Sequence, residues 1–89
     1  MTVTDAFSLG QRGTAVTGTL DKGTLTVGDY VAVVHQDGSE TYARILLFHG
    51  LDGEDNTAYE GDEVSMLLDI VKKSRVQAGD EVKKLQMSL

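Results

Sequence analysis

Four glycines fall at five-residue intervals, Gly13, Gly18, Gly23 and Gly28, inside the stretch GQRGTAVTGTLDKGTLTVGDYV that runs from Gly10 to Val31. This interval limits what the segment can build. Side chains of a strand alternate between faces with a period of two, so a five-residue repeat cannot keep one face. The glycines therefore mark bends, a bulge and turns rather than one ligand surface. The threonines and valines between them suit a pleated, half-buried sheet. Two short strands are expected, Gly13 to Leu20 and Thr24 to Val27, joined by a turn at Asp21-Lys22-Gly23. A second turn opens at Gly28-Asp29.

The rest of the chain continues the β pattern. Val3 to Leu9 reads as a strand with Val3, Phe7 and Leu9 on one face. Asp5 is the misfit there, expected to accept a backbone or hydroxyl hydrogen bond at a barrel rim. Tyr30 to Gln36 is another run, with Val31 and Val33 on one side and Tyr30, Ala32 and Val34 on the other. The Asp37-Gly38 pair within Gln36 to Ser39 is a hairpin signal. Thr41 to Phe48 answers it, apolar on both faces towards Ile45, Leu46, Leu47 and Phe48, which predicts a strand that is central or covered on both sides. Gly50 to Gly61 is a polar loop, and Asp62 to Ile70 is a strand with Val64, Met66, Leu68 and Ile70 facing in. A single helical turn is compatible with Lys72 to Val76, and Asp80 to Met87 closes the chain with Val82 as its first apolar anchor.

Gly28-Asp29-Tyr30-Val31, Gly61-Asp62-Glu63-Val64 and Gly79-Asp80-Glu81-Val82 share one Gly-Asp-x-Val signature. Glycine permits positive φ, aspartate bonds the local backbone, and the valine starts a core face. Their unequal spacing rules out a solenoid repeat. About six short strands with glycine turns and no long helix predict an all-β fold, a small closed antiparallel β-barrel forming a single domain over residues 1–89.

Composition removes several function classes. The 89 residues contain no cysteine, so there is no disulfide framework, thiolate metal site or thiol nucleophile. No signal peptide pattern and no membrane-length apolar run is present, and the expected compartment is cytoplasmic. A net charge of −6 argues against general affinity for phosphate backbones, although a local basic patch stays open.

Gly13-x4-Gly18-Thr19 and Gly18-x4-Gly23-Thr24 copy the glycine spacing of a P-loop but lack its lysine and its helix, so no nucleotide is expected on this domain. Asp52, Glu54, Asn56 and Glu63 have the oxygen ligands of a calcium loop, yet Thr57 stands where that loop needs glycine and strands flank it. His35 and His49 sit near strand ends beside no second metal-type ligand and read as surface histidines. Ser8, Ser39, Ser65, Ser74 and Ser88 sit in no nucleophile motif. The expectation is a protein without catalytic residues, metal or cofactor.

Two groups of residues are candidates for binding. Arg12, at a glycine-lined bend, is placed to hold a phosphate or carboxylate bidentately, or else to tie the bend to Asp5, Asp21 or a carbonyl. Lys72, Lys73, Arg75, Lys83 and Lys84 hold five of the eight basic residues near the end of the chain. They form either one positive patch for an anionic partner or a solvated surface.

Arg12-Gly13-Thr14-x-Val16-Thr17-Gly18, then Gly23, then Val27-Gly28-Asp29-x-Val31 resembles the second domain of elongation factor Tu and related translational GTPases. The likeness starts at about Asp5-Ala6-Phe7-Ser8 and can be followed, with one insertion, to Val82. It implies a closed β-barrel, a place in protein biosynthesis, and contacts with the GTPase domain, the aminoacyl end of tRNA and ribosomal RNA. Nucleotide chemistry in that family belongs to a separate domain. The pattern departs at three positions: Leu46 stands where the family has an aminoacyl-pocket glutamate, His49 where it has an arginine, and Asp69 where it has another arginine. The resemblance thus carries over the fold and not the tRNA pocket. It leaves three readings: a non-catalytic barrel that docks on ribosome, RNA or a translation protein; a protein–protein adaptor; or a part of a larger GTPase. Met1 directly ahead of the first strand carries the expectation of a complete small chain.

Overall fold

The structure, a computed structural model, describes residues 1–49, 56–70 and 76–85. Its strands are β1 (Thr2–Ser8), β2 (Thr14–Thr19), β3 (Thr24–Thr26), β4 (Tyr30–Val34), β5 (Glu40–His49), β6 (Thr57–Tyr59), β7 (Glu63–Leu68) and β8 (Glu81–Lys84), with a 3-10 turn at Gly10–Arg12. Six of them close into a barrel in the order β1-β2-β7-β5-β4-β8, while β3 and β6 form a separate two-stranded ribbon. Every pairing is antiparallel. The all-β closed barrel is the fold expected from the sequence. No described helix is long and apolar enough to cross a membrane.

The core follows from strand alternation. Val16, Val31, Val33, Ile45, Val64, Met66, Leu68 and Val82 are buried inside the barrel, and the ribbon adds Leu25 and Ala58 to the same cluster. Ile70, expected inward, is half-buried and packs against this cluster.

Three departures have local causes. The segment 50–61 is not loop throughout: Thr57–Tyr59 pairs with Thr24–Thr26, and a hydroxyl contact between Thr26 and Thr57 at 3.1 Å supports the ribbon. In β1 the register shifts between Val3 and Asp5, so Thr4 is an extra residue and the alternation inverts beyond it. Val3 is buried, whereas Asp5, Phe7 and Leu9 face solvent. The Asp5 carboxylate accepts its neighbour's amide, from Ala6, at 2.9 Å. In β5 a similar shift between Ile45 and Leu47 turns Leu46 and Leu47 outward, where they are exposed rather than covered.

Gly18 opposes the β1 bulge and is not a turn residue. It lies within β2 facing Val3, and a Cβ there would collide with the Thr2 carbonyl. Gly13 has φ +122, and a Cβ on it would strike the Leu68 carbonyl, so the β1–β2 connection needs glycine on both counts. The helical turn compatible with Lys72 to Val76 falls, except for buried Val76, outside the described residues.

The three Gly-Asp-x-Val segments form one turn three times. In each, the aspartate amide donates to the carbonyl three residues back, at Thr26, Tyr59 and Gln77, with lengths of 2.9, 2.9 and 3.1 Å. The amide of that earlier residue donates in return to the aspartate Oδ2, at 2.9, 2.8 and 3.0 Å. The glycines have φ of 95°, 92° and 98°, and Val31, Val64 and Val82 then enter the core.

Candidate functional site

Cross-strand register gathers apolar side chains on the outside of the barrel. Phe7 pairs with Ala15, Ala15 with Leu67, and Leu67 with Leu47, a row that crosses β1, β2, β7 and β5. Directly opposed residues share a face of the sheet. Their chain neighbours Val16 and Met66 are fully buried, so this row points out of the barrel. Phe7 is 53% exposed and Leu47 37%, while Ala15 and Leu67 between them are buried; Leu9, just past the end of β1, and Leu46 in β5 add exposed apolar surface. Asp5, Thr17 and Ser65 form the next outward row and give the strip a polar border. Exposed apolar side chains beside a polar rim are ordinary parts of a docking site. Strict alternation expects Phe7 and Leu9 on one face with Val3; the bulge at Thr4, which sequence alternation does not reveal, turns them away from buried Val3 to the outside.

Arg12 stands in the 3-10 turn that follows β1, immediately beyond Leu9. Its amide donates to the Leu9 carbonyl at 3.2 Å, and its side chain is exposed. Neither acidic tie expected for it forms. Asp5 is engaged by the Ala6 amide, and Asp21 lies 3.8 Å from the Met1 amino group. Among the described residues the guanidinium makes no ion pair, which leaves it available to an external carboxylate or phosphate.

The remaining basic candidates are not gathered with it. Lys83 pairs with Glu81 at 3.6 Å and Lys84 with Asp29 at 3.4 Å. As neighbours on β8 these two lysines project to opposite faces. Lys72, Lys73 and Arg75 lie outside the described residues.

His35 is not a surface histidine. It is buried at the end of β4, where Nδ1 lies 2.8 Å from Asp80 Oδ2 and Nε2 lies 2.6 Å from Thr41 Oγ1. A neutral ring that donates from Nδ1 to the carboxylate accepts at Nε2 from the Thr41 hydroxyl. The order hydroxyl, imidazole, carboxylate copies a nucleophilic triad. Here, however, Asp80 also holds the Gln77 amide and closes a turn, so the three groups tie the β4–β5 hairpin to the approach of β8. No group of three or more His, Cys, Asp or Glu side chains fit to hold a metal occurs among the described residues.

Leu46 and Asp69, which the resemblance sets against tRNA-pocket residues, lie in β5 and just after β7. Leu46 sits at the β5 register shift with its side chain exposed. Asp69 accepts the Arg44 amide at 2.7 Å and returns its own amide to the Arg44 carbonyl at 3.1 Å, a backbone role an arginine side chain does not fill. Arg44 in turn lies over the Tyr30 ring, 5.9 Å from its centroid. A family model described as Elongation factor Tu domain 2 matches residues 13–82, most of the chain.

Proposed function

From the premise that this chain belongs to the elongation factor Tu domain 2 family, we propose that it is a non-catalytic module that docks on the translation machinery through the Phe7–Ala15–Leu67–Leu47 strip and Arg12. Membership makes it a translation-factor module, and domain 2 of that family is a non-catalytic barrel. The observation that carries the docking face is the outward-pointing apolar row, exposed at its two ends, Phe7 and Leu47, with Arg12 near the Phe7 end making no ion pair among the described residues. With a net charge of −6, phosphate-led binding is the weaker alternative, and apolar contact supplies most of the affinity. Arg12 adds one anion contact, from a carboxylate of a ribosomal or factor protein or from an RNA phosphate.

Co-sedimentation with ribosomes across a salt series tests this. The expected outcome is association that falls shallowly with salt, is lost in a Phe7→Ser/Leu47→Ser variant, and weakens roughly tenfold in Arg12→Ala, the cost of one charge-assisted contact. Ribosome association unchanged in both variants removes this face from consideration. A steep salt slope shifts the contact to Lys72, Lys73, Arg75, Lys83 and Lys84. The adaptor reading predicts that the same strip captures a non-ribosomal protein. In a larger GTPase, the strip would face a neighbouring domain of the same chain.

A further inference from the structure

Tyr30 and Tyr42, both exposed, lie together on the outer face of β4 and β5. Val31, Val33, Ala43 and Ile45 are buried in the barrel, so alternation turns Tyr30, Ala32, Tyr42 and Arg44 outward. Tyr30 pairs with Arg44 across the two strands, and Ala32 with Tyr42. The tyrosines are therefore diagonal neighbours, about 7–8 Å apart at the backbone, with the small Ala32 beside both. Tyr30 is 47% exposed and Tyr42 63%. Both rings have fixed neighbours: the Arg44 guanidinium lies 5.9 Å from the Tyr30 centroid, and the Tyr42 hydroxyl donates to Glu40 at 2.9 Å. Arg44 makes no ion pair among the described residues, since the Asp69 carboxylate takes its amide rather than its guanidinium. Ala32 pairs with Tyr42 on one edge and with Lys83 on the other, so the strand ladders take up the backbone there. Charge divides this face. Val34 has Glu40 and Glu81 as its partners, which makes one end acidic, and Arg44 stands at the other.

We propose that this face docks an extended, proline-containing segment of a partner protein that carries one carboxylate. A proline seats over Ala32 between the two rings, and the adjoining carboxylate meets the Arg44 guanidinium as a bidentate pair. Tyrosine and arginine are the side chains most enriched, with tryptophan, among those that dominate binding energy. The backbone at Ala32 is already paired, so a ligand amide pressed against it would be left without a partner. Proline has no such amide. A polyproline II segment rises about 3.1 Å per residue, so about two to three residues span the tyrosine pair. Repulsion from Glu40 and Glu81 sets the direction, with the acidic end of the segment at Arg44. A nucleic acid strand, with a phosphate at every nucleotide, would press charge against those same carboxylates, whereas a single carboxylate does not. This surface is separate from the Phe7–Leu47 strip and does not depend on it.

The probe is the acetylated, amidated peptide Pro-Pro-Glu-Pro-Pro, whose glutamate has proline on both sides, added to the ¹⁵N-labelled 89-residue chain. The expected result is saturable binding with a Kd on the order of 0.1–1 mM, seen at the amides of Tyr30, Ala32, Tyr42 and Arg44. Replacing the peptide's glutamate by glutamine should weaken binding about tenfold, the cost of one charge-assisted contact. Replacing its prolines by alanine should weaken it about fivefold, as the segment is no longer pre-set in an extended form. Neither change touches the protein. Arg44→Ala should bring the glutamate peptide level with the glutamine peptide, and Tyr42→Ala should weaken both alike. Phe7→Ser/Leu47→Ser should bind as the unaltered chain does. No saturable shift in this patch, or indifference to both peptide replacements, overturns the proposal. Tighter binding of hexauridylate at the same amides overturns it in favour of a nucleic-acid stacking face. Concentration-dependent shifts at Tyr42 before peptide is added overturn it in favour of pairing between copies.

Discussion

The turn ending at Asp62 and the turn ending at Asp80 have the same backbone. Each aspartate closes on the residue three positions back, and their glycines differ by only a few degrees, φ 92° and 98°. Their surroundings differ. Asp62 is half-buried, and its carboxylate serves the Tyr59 amide alone among the described residues. Asp80 is 3% exposed and also holds His35, which in turn holds Thr41. Four residues of sequence specify the turn; the strands around it decide whether the turn is an ornament of the rim or a fastening of the barrel.

Breaking the two turns in the same way separates these roles. Asp80→Ala should cost about 3 kcal/mol, measured by urea unfolding, because it leaves His35 Nδ1 buried without a partner and frees the Gln77 amide. Asp62→Ala removes the same local bond near solvent and should cost about 1 kcal/mol. Equal losses would mean that the buried His35 contact adds nothing beyond the turn.

A fully exposed pair marks the lower limit of the contrast. The Tyr42 hydroxyl donates to Glu40 at 2.9 Å, and this bond, together with the carboxylate charge, raises the phenol above its ordinary value of 10.0. A raised folded-state value favours folding below the ordinary value and loses that contribution as pH rises through the raised one. Glu40→Gln should return the phenol's titration, followed by ultraviolet absorbance, towards the ordinary value. It should leave the melting temperature unchanged within error.

The comparison also shows which features the sequence made legible. In the Gly-Asp-x-Val turns, donor, acceptor and positive-φ glycine lie within four residues, so local chemistry is enough. The hairpin at Asp37-Gly38 was legible for the same reason: the His35 amide donates to the Ser39 carbonyl at 2.8 Å and the Gly38 amide returns to His35 at 2.9 Å. His35 and Asp80 are 45 residues apart and meet only once the barrel closes, so the sequence left His35 at the surface. The strand Thr57–Tyr59 is too short to show alternation. The candidate face was hidden by a single inserted residue, Thr4, which exchanged the inner and outer sides of half a strand. Arg12 was readable as a residue at a special bend, whereas its freedom from Asp5 and Asp21 required the neighbours in place.

The β1–β8 seam also sets how the barrel answers force. Met1 and Lys84 lie at the same end of that antiparallel junction, with Met1 bonded to Val82 across 81 residues of sequence. A load that draws these two residues apart meets the bonds one pair at a time, as a zip does, instead of shearing them together. The barrel should therefore open first along this line under tension. The ladder between β2 and β7, with its continuous register from Thr14 to Thr19, should still be intact at that point.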